Sequence, residues 1–178
     1  MNINRNVMQK YSEILNREPT PEELLSYVYG VLNSKSYRSQ FADWLKVDFP
    51  KIPYPKNSDM FEKISGVGMN LINLHLMKSR LPIQVGFEVP GENEIKSIRY
   101  LKDNIWINDN QYFSNVPFNV WNFEICGYKV IDKWLKSRMG KKVSSGEVEH
   151  LMQVIETIRR TLDQCKEIDE VDFHEIRE

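Results

Sequence analysis

The first part of the chain alternates between helical periodicity and turn residues. Apolar residues recur every three or four positions in the segments 5–16, 21–32 and 36–49, which is the spacing of amphipathic helices. Thr20, followed three positions later by Glu23, has the pattern of a capping box. This pattern predicts three helices, the second capped by Thr20 and the third starting at residue 36.

An extended connector and a long helix come next. Three prolines lie within residues 50–55, and proline keeps both itself and the preceding residue out of helix. Helical spacing then returns, and we predict a helix capped by Ser58 that continues to Arg80. Gly66 and Gly68 interrupt this helix. Glycine costs about 1 kcal/mol relative to alanine in a helix interior, so the two glycines indicate that another element approaches the backbone here.

The hydrophobic period changes from 3.6 to 2 residues after Pro82, which is typical of half-buried strands. Short alternating segments are separated by turn residues at 90–93, 102–104 and 108–110. We predict strands at 83–89, 95–101, 105–107 and 111–113. Together they form a small antiparallel sheet of three to four strands, inserted around residues 82–116.

The stretch Pro117–Lys142 is predicted to lead from a β segment, through Gly127, into a helix with one packed and one basic face. A second capping box, Ser144 with Glu147, then starts the longest helix, whose apolar seam continues to about residue 168. The predicted fold class is α+β, mainly helical, with about five to six helices. We expect one domain, made of a helical part (1–80), the sheet (81–116), a second helical part (117–170) and an acidic tail (171–178).

Charge changes this picture only locally. The chain has 24 Lys and Arg against 25 Asp and Glu, a formal net charge of −1, so its overall charge gives no support to nucleic-acid binding. Between Lys129 and Lys142, however, six basic residues face the single acid Asp132, and an acidic run from Asp163 to Glu178 offsets them. On composition alone, the basic run is a solvated helix face.

The sequence shows no motif for catalysis within the chain. It lacks a phosphate-binding loop, a dinucleotide-binding turn, a nucleophile elbow and the Asn/Asp-Pro-Pro-aromatic tetrad of amino-methylating enzymes. We expect no metal site, and we expect Cys126 and Cys165 to be reduced, partly buried thiols. His75 is interpreted as a packing residue with satisfied hydrogen bonds. No signal peptide or apolar span is present, and we expect a cytoplasmic protein.

An ordered set of motifs resembles the C-terminal specificity region of type ISP restriction-modification enzymes. The set begins with the aromatic segment 27–38 (YVYGVLNSKSYR) and Phe49-Pro50-Lys51-Ile52-Pro53, where Lys51 takes the place of the commoner arginine. The set continues in the same order with Leu74-His75-Leu76, Val116-Pro117, Gly127-Tyr128-Lys129-Val130 and Lys133-Trp134-Leu135-Lys136-Ser137-Arg138, and it ends in the last helix with Glu149-His150 and Glu156-Thr157. The resemblance covers about residues 20–170.

This resemblance implies a domain that recognises a double-stranded DNA target and is not an enzyme alone. It would act with an N6-adenine methyltransferase domain and a helicase-like motor in one longer polypeptide. The resemblance also implies that S-adenosylmethionine, ATP and Mg²⁺ belong to those other domains and that this chain binds no cofactor. We therefore expect the chain to be one part of an adenine-specific methyltransferase and restriction enzyme.

Residue type and loop position then suggest the DNA contacts. Lys and Arg suit phosphates, and Asn suits base edges. The predicted contacts are Arg38, Lys51, Lys102, Asn104, Asn110, Lys136, Arg138, Lys141 and Lys142, whereas Tyr37, Trp44, His75 and Trp134 are expected to hold the fold. An alternative stays open: a helical protein-interaction module that docks onto a methyltransferase or motor domain without touching DNA.

Overall fold

The computed structural model describes residues 3–171, and the chain divides into two compact units. Unit 1 comprises Met1–Lys78 and Thr161–Glu178, and unit 2 comprises Ser79–Arg160. The described residues form seven α-helices and two small antiparallel sheets, so the predicted α+β, mainly helical class is confirmed. The single-domain organisation stays a prediction, and the predicted acidic tail from residue 172 onward lies outside the described residues.

Unit 1 is built from helices. They are α1 (Arg5–Leu15), α2 (Pro21–Asn33), α3 (Lys35–Gln40), a 3-10 turn (Trp44–Lys46), α4 (Ser58–His75) and the end of α7 (Ser145–Asp169). Tyr27 and Phe61 are fully buried and stack with ring centroids 5.2 Å apart. Where α2 crosses α4, a Cβ on Gly68 would lie 1.8 Å from the Ser26 carbonyl oxygen. The prediction of a close approach is therefore confirmed at Gly68, but it is wrong at Gly66, where a Cβ would meet open space.

The helix starts confirm the capping boxes and correct two other predictions. Thr20 Oγ1 accepts from Glu23 N, and Glu23 Oε2 accepts from Thr20 N. The cap of α3 is Ser34, two residues before the predicted start, and the cap of α4 is Asn57 rather than Ser58. The third helix breaks at residue 40 into turns, and α4 ends at His75, five residues before the predicted end, with Met77 in the left-handed region.

Unit 2 contains the sheets. β1 (Arg99–Leu101), β2 (Asn104–Trp106) and β3 (Tyr112–Phe113) form an antiparallel sheet in chain order. A second hairpin pairs β4 (Glu124–Ile125) with β5 (Tyr128–Lys129), and the helices are α5 (Phe118–Trp121), α6 (Val130–Lys136) and the start of α7. α5 corrects the prediction of β structure directly after Pro117.

The predicted strand 83–89 is wrong, apart from one bridge between Gly86 and Ser114. Gln84 N and Val85 N donate instead to Oε1 of Glu156 on α7, at 2.7 and 3.0 Å. The segment alternates in polarity as a strand does, with Val85 buried and Gln84 exposed. Its first amides, however, bond to a side chain and not to a neighbouring strand.

Candidate nucleic-acid interface

The β1–β2 hairpin presents the first predicted contacts. Leu101 pairs with Asn104, and the two residues of the turn, Lys102 and Asp103, have φ of 50° and 57°. Two left-handed residues make a tight turn whose twist matches that of the strands. The Lys102 side chain is therefore held at an exposed tip, and its ammonium makes no ion pair within residues 3–171.

Asn110 lies at the other end of β2, in the loop between β2 and β3. Asn108 Oδ1 accepts from Asn110 N at 3.0 Å and from Gln111 N at 2.7 Å, so an Asx turn fixes the loop backbone. The Asn110 side chain is exposed and makes no hydrogen bond to any described residue. The structure thus separates Lys102 and Asn104, at one end of the hairpin, from Asn110.

Gln111 is buried, although its residue type alone suggests base contact. Only 1% of it is exposed. Its Nε2 donates to Val89 O and to Asn93 Oδ1, and its Oε1 accepts from Asn93 N and Asn108 Nδ2, at 2.7–3.1 Å. A glutamine side chain can make four such bonds, so Gln111 is fully satisfied inside the protein and supports the loop.

Three of the four basic residues predicted as contacts at the end of α6 and after it are engaged in ion pairs. Lys136 Nζ lies 2.7 Å from Asp132 Oδ2, and Lys142 Nζ lies 3.3 Å from Glu92 Oε2. Arg138 Nε lies 3.1 Å from Glu147 Oε1, and the guanidinium carbon lies 3.8 Å from the centroid of the Trp134 ring. Lys141 is exposed and makes no ion pair within the described part of the chain.

Arg138 therefore has a structural role in addition to its charge. Glu147 also accepts from Ser144 N and Ser144 Oγ in the second predicted capping box, which is confirmed. The Ser144 N–H first, and the Arg138 guanidinium second, hold the pKa of Glu147 below its usual value. The arginine thus joins the end of α6 to the start of α7.

The basic turn after α6 is tied to the loop before β1. Gly140 N donates to Ile95 O at 2.7 Å, Ile95 N donates to Lys141 O at 3.1 Å, and Val143 N donates to Asn93 O at 2.9 Å. Beside this contact lies a polar cleft of about 270 Å³. Its lining includes Glu92, Glu94, Lys96, Asn108, Asp109 and Asn110.

Arg38 and Lys51 lie in unit 1. The Arg38 side chain is exposed, and its guanidinium bonds to the carbonyl oxygens of Ser34 and Asn33. Lys51 Nζ lies 4.3 Å from the ring centroid of Trp44. Trp44 was expected to hold the fold, but it is 40% exposed and lies outside the buried core. Tyr37, in contrast, is buried and donates to Lys51 O at 2.8 Å.

The interpretation of His75 as a packing residue in the core is wrong, because the residue is exposed, but both ring nitrogens have hydrogen-bond partners, as predicted. Nδ1 bonds to Tyr29 Oη at 2.7 Å and Nε2 to Thr161 Oγ1 at 2.9 Å. Partial burial of the ring lowers the pKa of the imidazole.

Cys126 is exposed in the β4–β5 turn, contrary to the expectation of partial burial, and Cys165 is half-buried.

The described residues contain no group of three or more His, Cys, Asp or Glu side chains that could hold a metal ion. None of the helices in residues 3–171 is both long and apolar enough to cross a membrane.

The chain is similar to DNA-bound enzymes of known structure. It is 26% identical, with a TM-score of 0.66, to a nuclease-deletion mutant of the type ISP restriction-modification enzyme LlaGI in complex with a DNA substrate mimic, covering 90% of this chain and 14% of that one. The ATP-dependent type ISP enzyme LlaBIII bound to DNA is 23% identical at a TM-score of 0.73, covering 96% of this chain and 12% of that one. The third structure is a DrdV–DNA complex. It is 15% identical to this chain at a TM-score of 0.73, and the match covers 97% of this chain and 20% of that one. These last two are likenesses of fold.

The chain thus spans between 12% and 20% of the length of these proteins. A comparison with curated protein sequences gives no significant match. The sequence model of the family described as "Type ISP C-terminal specificity domain" matches residues 1–168, which is nearly the whole chain. This chain therefore belongs to the family of type ISP C-terminal specificity domains.

Proposed function

We propose that this chain recognises a target sequence in double-stranded DNA and works with an N6-adenine methyltransferase domain that lies outside it. The observation that carries the proposal is the match to the specificity-domain family over residues 1–168. The similarity to LlaGI in complex with a DNA substrate mimic supports it. The chain is then one part of a longer restriction-modification enzyme and has no catalytic centre of its own.

Within this proposal, the cations differ in their availability. Lys141 and Lys102 are exposed without an ion pair among the described residues, so they meet phosphates without losing a protein partner. Lys142 would exchange Glu92 for a phosphate, and because both side chains are more than half exposed, this exchange costs little. Lys136 and Arg138 hold α6 through Asp132 and Glu147. Arg38 and Lys51 are proposed as further contacts from unit 1.

The cofactors follow the division of labour that the family resemblance implies. S-adenosylmethionine would bind to the methyltransferase domain, and ATP with Mg²⁺ to the helicase-like motor of the longer polypeptide. This chain would supply the sequence readout. Such an enzyme acts on DNA in the cytoplasm, which is the location we propose.

The alternative, a protein-interaction module without DNA contact, receives no support from the comparisons. Unit 1 does contain an apolar cleft of about 480 Å³, lined by residues of α1 and α2 together with Ile52 and Tyr54. Such a cleft suits a protein partner. The alternative is therefore included as an outcome of the binding experiment.

A titration of duplex DNA with this chain at about 50 mM salt tests the proposal, with and without the methyltransferase domain. We expect binding that weakens as salt rises, because phosphate contacts release counterions. Replacing Lys141 and Lys142 together by alanine should flatten the slope of log K against log salt by about one unit per lost contact.

The control is Lys166→Ala, which removes an exposed lysine paired with Asp163 on α7, and the slope should not change. Absence of binding even with the methyltransferase domain would contradict DNA recognition and favour the interaction module. Binding with an unchanged slope in the double variant would remove Lys141 and Lys142 from the interface.

A further inference from the structure

The loop Asn108–Gln111 is held by several hydrogen bonds between its own side chains and backbone. The Gln111 side chain is buried with all four hydrogen-bonding positions used. A Cβ on Gly91 would lie 2.5 Å from Gln111 Cδ, so the neighbouring turn also leaves room for this amide. Burying an amide costs free energy unless its bonds are all made, and here Val89, Asn93 and Asn108 make them.

Asn108 transmits this order to the loop backbone. Its Nδ2 donates to Glu94 O at 3.0 Å and to Gln111 Oε1 at 3.1 Å, while its Oδ1 accepts from Asn110 N and Gln111 N. Ile107 N also donates to Gln111 O at 3.0 Å. The position of the Asn110 Cα is thus fixed from both sides.

Asn110 is the member of this loop whose side chain is left unbonded within residues 3–171. Asp109 beside it already faces Arg99, with Oδ1 to Nη2 at 3.4 Å. Because the backbone is already fixed, Asn110 loses only the rotational freedom of its side chain when it binds. An asparagine amide can bond to both N6 and N7 of adenine in the major groove.

The same network reaches the basic turn. Asn93, which contacts Gln111 through both its backbone N–H and its side chain, accepts from Val143 N through its carbonyl oxygen. Ile95, two residues later, pairs with Gly140 and Lys141. One buried cluster therefore sets the loop that carries Asn110 and the turn that carries Lys141 in a fixed relation.

We propose that Asn110 reads a base edge, preferentially that of adenine, and that Gln111 is a positioning residue that holds Asn110 in register with the phosphate-binding lysine Lys141. This inference rests on the proposed function and names the element that gives it sequence preference. It predicts that specificity and affinity are separable in this chain. Asn110 and Gln111 affect the choice of sequence, whereas Lys141 affects binding to every sequence.

The experiment begins with selection from a pool of duplexes with a randomised centre, using the 178-residue chain. The selected duplex and a scrambled duplex are then titrated with each variant. Asn110→Ala should lower the ratio of the two affinities on the order of 10- to 100-fold, the value of one bidentate base contact. Its affinity for the scrambled duplex should fall much less than its affinity for the selected duplex. Gln111→Leu should lower the ratio without removing any group that touches DNA.

Gln153→Leu is the matched control, because Gln153 is also a buried glutamine of unit 2, bonded through its amide to Leu81 N and O. It should lose stability and keep the ratio. Gln111→Met, which keeps the length of the side chain but has no amide, is the second variant if Gln111→Leu does not fold. It should also lower the ratio.

The inference is overturned if Asn110→Ala keeps the wild-type ratio of affinities for the selected and scrambled duplexes. It is also overturned if Gln153→Leu lowers this ratio as much as the Gln111 variants do. In the second case the effect of Gln111 is one of stability. A wild-type chain that binds duplex DNA but enriches no sequence overturns this inference and leaves DNA binding standing. A wild-type chain that binds no duplex contradicts the proposed function itself.

Discussion

At the scale of single residues, local chemistry was predictable and long-range partners were not. Both capping boxes follow from residues three positions apart, so Thr20 with Glu23 and Ser144 with Glu147 are confirmed. The start of α3 was misplaced because Ser34 and Ser36 are both able to cap. Asp169, 135 residues from Ser34 in sequence, settles the choice by bonding to Ser34 Oγ. No pattern near residue 34 contains that information.

Asp169 should be a strong determinant of the stability of unit 1. Its Oδ1 accepts from Ser34 Oγ, Lys35 N and Ser36 N at 2.7–3.1 Å. Asp169→Ala leaves these donors without their acceptor, and we expect a loss of about 2 kcal/mol in the free energy of unfolding, measured with urea. Asp163→Ala, which breaks an exposed ion pair with Lys166, should cost less than about 0.5 kcal/mol. Equal losses would contradict the role given to Asp169.

Glu23 should make part of the stability depend on pH. The Arg17 guanidinium first, and the Thr20 N–H second, lower the pKa of Glu23 from 4.5 to about 2. A lowered pKa in the folded state adds stability above pH 4.5, and this stability is lost as the pH falls toward about 2. Because a third of the side chain is exposed, solvent screening limits the effect to about 1 kcal/mol.

Glu23→Gln should therefore be less stable than the wild type at pH 7, and the difference should shrink as the pH falls through this range. Urea unfolding at a series of pH values measures it, with Glu22→Gln as the control on the same helix turn. A difference that is the same at every pH would show that Glu23 acts through shape and not through charge.

At the scale of elements, hydrophobic period identified the type of most segments but not their hydrogen-bond partners. The segment 83–89 has the two-residue period of a strand, yet Glu156 on α7 takes its first amides. The sheet between residues 99 and 113 was predicted from short alternating segments separated by turn residues. Of these turns, the one at Lys102 and Asp103 adopts positive φ. The candidate site shows the same difference between local and distant determinants. Asn110 lies at an exposed turn, as its position in the sequence suggests, whereas the burial of Gln111 depends on the distant residues Val89 and Asn93.

The two glycines of α4 give a matched test of the α2–α4 crossing. Gly68→Ala places a Cβ 1.8 Å from Ser26 O, so the helices must move apart, and we expect a loss of about 3 kcal/mol or more in the free energy of unfolding. Gly66→Ala meets open space and should stabilise by about 0.5–1 kcal/mol through helix propensity. Thermal or urea unfolding of both variants checks this. A Gly68→Ala variant as stable as Gly66→Ala would contradict the close crossing.

At the scale of the whole molecule, net charge is a poor guide to DNA binding, because it does not show which cations are paired with acids and which are not. The chain carries a formal charge of −1, and of the residues predicted as contacts, Lys136, Arg138 and Lys142 are paired with acids. Lys102 and Lys141 make no ion pair with any described residue, and they stay the predicted phosphate contacts. The family resemblance predicted the recognition role that composition did not support, and the family match over residues 1–168 confirms the membership on which that prediction depended.

The most direct test of target recognition is an exchange of domains. This chain would replace the matching region of LlaGI, to which it is 26% identical, and the sequence modified by the chimaera would be mapped by sequencing modified DNA, beside unaltered LlaGI. The account predicts that the chimaera modifies a new sequence, and that Asn110→Ala in the chimaera relaxes it at one position. A chimaera that modifies the same sequence as unaltered LlaGI would contradict the claim that this chain determines the DNA target.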